Sequence, residues 1–249
     1  MDTKRIVIIG ATSGIGREVA ELYIRQGWHV GVAGRRADML EEVRRICPER
    51  VVCERIDVTS SDSPEHLAEL IEKLGGMDVY LHCAGIGHQN RMLNPDIESD
   101  TISTNCGGFV RLIDVAFAYF RSAGRGHIAA VSSIAGTRGL GAAPAYSASK
   151  RFQNTYLQCL SQLARMERLD ICFTDIRPGF VKTHLLDGDQ YYPFQLDAGK
   201  VAEDIVKAIS RRKRVVVIDW VYAIVTFFWS LIPGFIWERM NIHTNKKSK

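Results

Sequence analysis

The stretch Arg5-Ile-Val-Ile-Ile-Gly10-Ala-Thr-Ser-Gly14-Ile-Gly16 decides the fold. Ile6 to Ile9 form an unbroken apolar run rather than an alternating one, which fits a strand covered on both faces. The run is too short for the apolar region of a signal peptide. Glycines follow at once, and then an amphipathic stretch near 15–26. A glycine turn between strand and helix lets the backbone approach a pyrophosphate, and the free N–H groups of the helix start attract it. The spacing is GxxxGxG rather than GxGxxG, so alone it is also compatible with a plain tight turn.

The same alternation continues outward. Further strand-like runs are His29–Ala33, Val51–Ile56, Val79–Cys83, His127–Val131, Ile171–Ile176 and Val215–Ile218. Helical stretches lie between them near 37–46, 64–74, 98–121, 145–168 and 198–210. This order predicts an α/β fold, a doubly wound parallel sheet of about seven strands with helices on both faces. With no internal repeat or linker, the reading is one domain over 1–219 and a hydrophobic, aromatic-rich segment over 220–249. The chain has 249 residues, 46% hydrophobic and 24% charged, with a net charge of +4. Those values exclude a disordered chain, a collagen-like repeat and a polytopic membrane protein. Cys47, Cys53, Cys83, Cys106, Cys159 and Cys172 show no CxxC pairing, so reduced thiols in the cytoplasm and no metal site are expected.

After the second strand comes Gly34-Arg35-Arg36. An NAD-selective site usually has a carboxylate here for the ribose 2′-hydroxyl, whereas arginine suits a 2′-phosphate. NADP(H) is therefore the expected cofactor. Tyr146-Ser-Ala-Ser-Lys150 opens a long helical stretch and puts tyrosine and lysine on one face. A lysine there is expected to lower the phenol pKa, making a general acid or base near neutral pH. Ser132-Ser133 end the preceding strand, where a substrate oxygen would sit.

Together these residues resemble the short-chain dehydrogenase/reductase family, from Arg5 to about Ile218. The shared pieces run in order: Gly10, Gly14 and Gly16; Asp57; Ala84-Gly85; Asn105; the serine strand end; Tyr146 and Lys150; Pro178-Gly179 and Thr183. The resemblance implies a Rossmann fold and catalytic roles for Asn105, Ser133, Tyr146 and Lys150. Tyr146 would exchange the proton, Ser133 would bond the substrate oxygen, and Lys150 would hold the nicotinamide ribose. Asn105 would anchor a water in a relay. Thr12, Ser13, Ile15, Asp57, Val58, Cys83, Ala84, Gly85, Pro178, Gly179, Val181 and Thr183 would complete the cofactor site, with Arg35 and Arg36 at its phosphate end. The family usually has Asn where this chain has Cys83. His82 and His88 match no catalytic position and read as structural or exposed.

The substrate side is expected from Ile134 to Ala143 and from Phe180 to Leu196. It offers Leu140, Phe180, Leu185, Leu186, Tyr191, Tyr192 and Phe194, with His184 and Arg138 as its cationic candidates. This suits a hydrophobic ketone or secondary alcohol, such as a 3-oxo lipid, a 3-ketosphingoid base or a steroid-like ketone. Other readings are a 3-oxoacyl-carrier-protein reductase and a catalytically silent nucleotide sensor. No nucleic-acid partner is expected, and a homo-oligomer is. Trp220 to Trp237 carry no charge and hold seven of the 22 aromatic residues. Pro233-Gly234 breaks the segment, which suits an element lying on the cytoplasmic face of a membrane better than a span. Packing on a second subunit is the competing expectation.

Overall fold

The computed structural model describes residues 4–183 and 194–242. Its core is a seven-stranded, wholly parallel sheet in the order β3-β2-β1-β4-β5-β6-β7. The strands are β1 (Arg5–Ile9), β2 (His29–Gly34), β3 (Val51–Arg55), β4 (Val79–His82), β5 (Arg125–Val131), β6 (Asp170–Arg177) and β7 (Val215–Val217). All four apolar residues of β1 are fully buried, because both faces of the sheet are covered. Ile6 and Ile8 pack with α1 (Gly14–Arg25), α2 (Ala37–Arg44) and α7 (Ala198–Ser210). Val7 and Ile9 pack on the other face with α3 (Ser63–Lys73), α5 (Phe109–Ala123) and α6 (Pro144–Met166). Every predicted strand is present.

The order of the sheet reverses between β1 and β4, and their carboxyl ends open a crevice there. The register sets Ile9 level with Ala33 and His82, and Gly34 level with Arg55. Gly10, Arg35, Cys83 and the serines after β5 therefore share one edge.

The expected helix over 98–121 is interrupted. It forms as α4 (Pro95–Ile102), a wider π-turn at Ser103–Gly108, and α5. Such turns gather at functional sites. Here the insertion turns Asn105 inward to a neighbouring backbone. Gly108 has no room for a side chain, since a Cβ there would lie 2.7 Å from the Val58 carbonyl oxygen.

After β7, Asp219 turns the chain at φ 75° and caps α8 (Trp220–Leu231), its Oδ1 accepting from the Val221 N–H at 2.8 Å. Ile232-Pro233 breaks the helix before α9 (Gly234–Trp237). Both helices fold back on the body. Tyr222 sits against Gly179, where a Cβ would come within 2.2 Å of its ring, and its hydroxyl donates to the Phe194 carbonyl at 3.1 Å.

Candidate active site and cofactor cradle

The glycine turn holds a backbone conformation that a side chain would obstruct. Gly10 has φ +88°, and a Cβ on it would strike the Ala84 backbone at 2.6 Å. A Cβ on Gly16 would meet the Gly10 carbonyl oxygen at 2.2 Å. The start of α1 thus lies tight against the end of β1, with Ile15 packed on the core. Gly14 faces the Thr183 methyl, so the strand-end segment carrying Pro178 and Thr183 closes over the turn. That combination of bare backbone, helix start and overlying threonine fits a dinucleotide pyrophosphate.

At the far end of the crevice, Arg36 donates to Thr12 Oγ1 at 2.8 Å and to Ser13 Oγ at 2.7 Å. Arg35 is exposed beside it. Arg55, which the sequence reading missed, arrives at the same place through its register with Gly34. The Asp57 carboxylate is held below its usual range, chiefly by the Thr59 backbone N–H, with Arg35 and Arg55 adding to it. Val58 is buried beside it.

The catalytic candidates meet at the carboxyl end of β5. Ser133 is buried, and its Oγ accepts from the Ala135 N–H at 3.0 Å. Ser132 instead donates to Asp175 Oδ1 and the Ile176 carbonyl, so it is spent on structure. Tyr146 stands over Gly87, where a Cβ would come within 2.5 Å of the ring. Lys150 is buried one turn further along α6. Its Nζ donates to the Val131 carbonyl at 3.2 Å and to Gln153 Oε1 at 3.1 Å. Gln153 Nε2 in turn donates to the Asn105 carbonyl at 2.9 Å. Gln153 is a second residue the sequence reading missed; it lies at i+3 from Lys150, a spacing visible in the sequence.

Asn105 is locked. Its Oδ1 accepts from the Ile86 N–H at 2.9 Å, and its Nδ2 donates to the Ile86 carbonyl at 2.7 Å and to Ser149 Oγ at 3.0 Å. It fixes the segment after β4, where Gly85 leaves the space next to Lys150 open. Cys83 packs close to Gly16, and burial pushes its thiol up to about 12.

Burial raises the Tyr146 phenol above its usual value, with the Ser133 hydroxyl pulling the other way, and the lysine Nζ stands 5.7 Å from the ring centroid. Burial also lowers Lys150 itself, from 10.5 to about 8. The pair is a protonated phenol beside an ammonium of reduced basicity.

The remaining residues sort clearly. His82 is buried, pushed down to about 3 by desolvation, and bonded through Nδ1 to the Tyr80 hydroxyl; His88 is exposed. Arg138 is no free substrate cation: its guanidinium donates to the carbonyls of Trp229, Ser230 and Ile232. Gly179 and Val181 face inward, toward Tyr222 and the core respectively. Among the described residues, the only cluster of potential metal ligands is Glu54, His66 and Glu69, and Lys73 bonds both of its carboxylates. His184, Leu185, Leu186, Tyr191 and Tyr192 lie outside the described residues.

Comparison with known proteins bears on the family and the fold. The short chain dehydrogenase family model matches residues 4–190. An uncharacterized oxidoreductase of Myxococcus xanthus is 31% identical, over 94% of each chain. The dehydrogenase/reductase SDR family member 7B of Bos taurus is 29% identical, over 98% of this chain and 82% of its own. An alcohol dehydrogenase from the archaeon Thermococcus sibiricus, solved with 5-hydroxy-NADP, superimposes with a TM-score of 0.79 at 22% identity, over 89% of this chain and 98% of its own. Fold, cradle and sequence converge: the chain is an oxidoreductase and belongs to the short-chain dehydrogenase/reductase family.

Proposed function

We propose that the protein reduces an apolar ketone to a secondary alcohol with NADPH. The observation that carries this reading is geometric: the Ser133 and Tyr146 hydroxyls and the buried Lys150 amine meet at the carboxyl end of β5, beside the glycine turn, so that one carbonyl oxygen can meet a hydrogen-bond donor and a proton donor together. NADPH, when bound along the glycine turn, supplies the hydride. Ser133 donates a hydrogen bond to the substrate carbonyl oxygen, and Tyr146 delivers its proton to that oxygen as it gains negative charge. The Lys150 ammonium stabilises the phenolate left behind. Gln153 and Asn105 hold that ammonium in place. Arg35, Arg36 and Ser13, with Arg55 beside them, favour the 2′-phosphate by charge-assisted hydrogen bonds.

An apolar substrate is supported by the rim. Met92, Leu93 and Phe194 are exposed in segments that follow β4 and β6 at the carboxyl edge of the sheet, and the half-buried Phe180 packs edge-on against Tyr222 there. Long-chain 3-oxo lipids, 3-ketosphingoid bases and steroid-like ketones fit such a mouth. The test is Tyr146→Phe, which removes the hydroxyl and keeps the ring. Turnover of a ketone panel should fall by ~10²–10⁴-fold with NADPH binding retained. A variant with more than about a tenth of normal kcat would remove Tyr146 from this role.

A further inference from the structure

We infer that α8 and α9 form a rigid platform that seats the mouth of the active site on an anionic lipid surface. The platform has two apolar faces. Tyr222, Thr226 and Trp229 recur at helical spacing and turn toward the body. Trp220, Ile224, Phe227, Phe228 and Leu231 form the opposite stripe, and all are exposed, Phe227 to 59%, Phe228 to 60% and Leu231 to 62%. Phe235 and Ile236 of α9 continue it. Water-facing apolar patches of this kind mark an interaction surface.

The patch is held firmly at the mouth. The three carbonyls that end α8 are capped by Arg138, which lies just beyond Ser133 in the chain. Trp237 Nε1 donates to the Gly139 carbonyl at 2.7 Å, and its ring stacks edge-on against Trp229 at 5.4 Å. The loop bearing exposed Met92 and Leu93 is tied to the same region, Asn90 N–H donating to the Ala142 carbonyl at 2.9 Å. The stripe and these loop tips all sit at the carboxyl edge where Tyr146 lies.

Two observations favour lipid over a second protein. The eighteen residues Trp220–Trp237 carry no charge, and the chain then runs from Glu238 to Lys249 with four basic residues (Arg239, Lys246, Lys247, Lys249) against one acid. That sequence complements anionic headgroups. The patch is also tied through Arg138 and Gly139 to the segment that follows Ser133, so a second copy seated on it would crowd the entry of a large apolar substrate. No helix among the described residues is long and apolar enough to cross a membrane, so the platform lies in the interface plane. An apolar ketone then enters sideways from the acyl layer. That delivery step rests on the reductase reading; the docking does not.

The experiment uses the full chain and vesicles of equimolar phosphatidylcholine and phosphatidylserine. The wild type should float with them. Phe227→Ser/Phe228→Ser/Leu231→Ser should bind roughly a hundredfold more weakly, since each side chain loses much of its transfer free energy. The variant should reduce a short soluble ketone at the normal rate and an apolar ketone carried in vesicles far more slowly. A wild type that ignores the vesicles overturns the inference. So does a dimer seen by light scattering that the triple variant dissolves. A protein that floats but reduces no ketone keeps the docking and removes the reductase reading.

Discussion

Replacing Lys150 with Met should stop turnover and also make the cofactor-free protein more stable at neutral pH. Lys150 is only 5% exposed. Burial lowers it from 10.5 to about 8, although Cys83, Asp175 and Cys106 oppose the change, and that lowering corresponds to about 3 kcal/mol charged against the folded state at pH 7. The sign follows from proton counts. Below pH 8 both states hold the proton and the cost is constant. Between pH 8 and 10.5 the unfolded chain holds a proton that the folded chain has released, so wild-type stability rises with pH. Methionine fills a similar volume without the charge. It strands two acceptors, the Val131 carbonyl and Gln153 Oε1, at a cost of about 1–2 kcal/mol. The variant should therefore be about 1–2 kcal/mol more stable at pH 7 and less stable by a similar amount at pH 10.5. Urea unfolding followed by tryptophan fluorescence reads both. A difference between the two proteins that stays constant from pH 7 to 10.5 would refute the buried-charge reasoning.

Two further perturbations probe the ends of the crevice. Arg35→Asp with Arg36→Ala should weaken NADPH binding by roughly tenfold or more, with NADH nearly unchanged, as read by fluorescence titration. An unchanged preference would move the cofactor choice elsewhere. Arg138→Met should cost about 1–2 kcal/mol in the urea midpoint, because three carbonyls at the end of α8 lose their cap, and should speed proteolysis between α8 and α9; an unchanged cleavage rate would show that the helices hold by packing alone.

Much of this was legible in the residues because the physics is local. An unbroken Ile6–Ile9 run has few solutions other than a covered strand, and Tyr146 and Lys150 share a face wherever a helix carries them. Other features depend on packing that local patterns do not reveal. The π-turn at Asn105 hides inside a stretch with ordinary helical periodicity. The raised phenol depends on how deeply Tyr146 is covered, which spacing does not reveal. Arg138 has backbone carbonyls some ninety residues away as partners, and carbonyls belong to every residue type.

The basic residues near the tail fall into two sets. Arg211-Arg-Lys-Arg214 precedes the last strand, and the apolar segment begins only after it, at Trp220. In the fold, the three-residue β7 separates them, about 10 Å of extended chain that crosses from one edge of the sheet to the other. Arg212 pairs with Asp170 at the start of β6, and the Lys213 and Arg214 carbonyls accept from Thr174 and Asp175. That basic run therefore belongs to the edge away from the active site and adds nothing to a surface at α8. Attraction to headgroups falls to Arg239 and the lysines after it, at about 1 kcal/mol each near an anionic surface. Replacing Arg211–Arg214 with glutamine should leave vesicle binding unchanged, whereas replacing Lys246, Lys247 and Lys249 should weaken it and flatten its salt dependence. Equal losses from both sets would mean that the protein lies on its side, with the active-site mouth off the membrane.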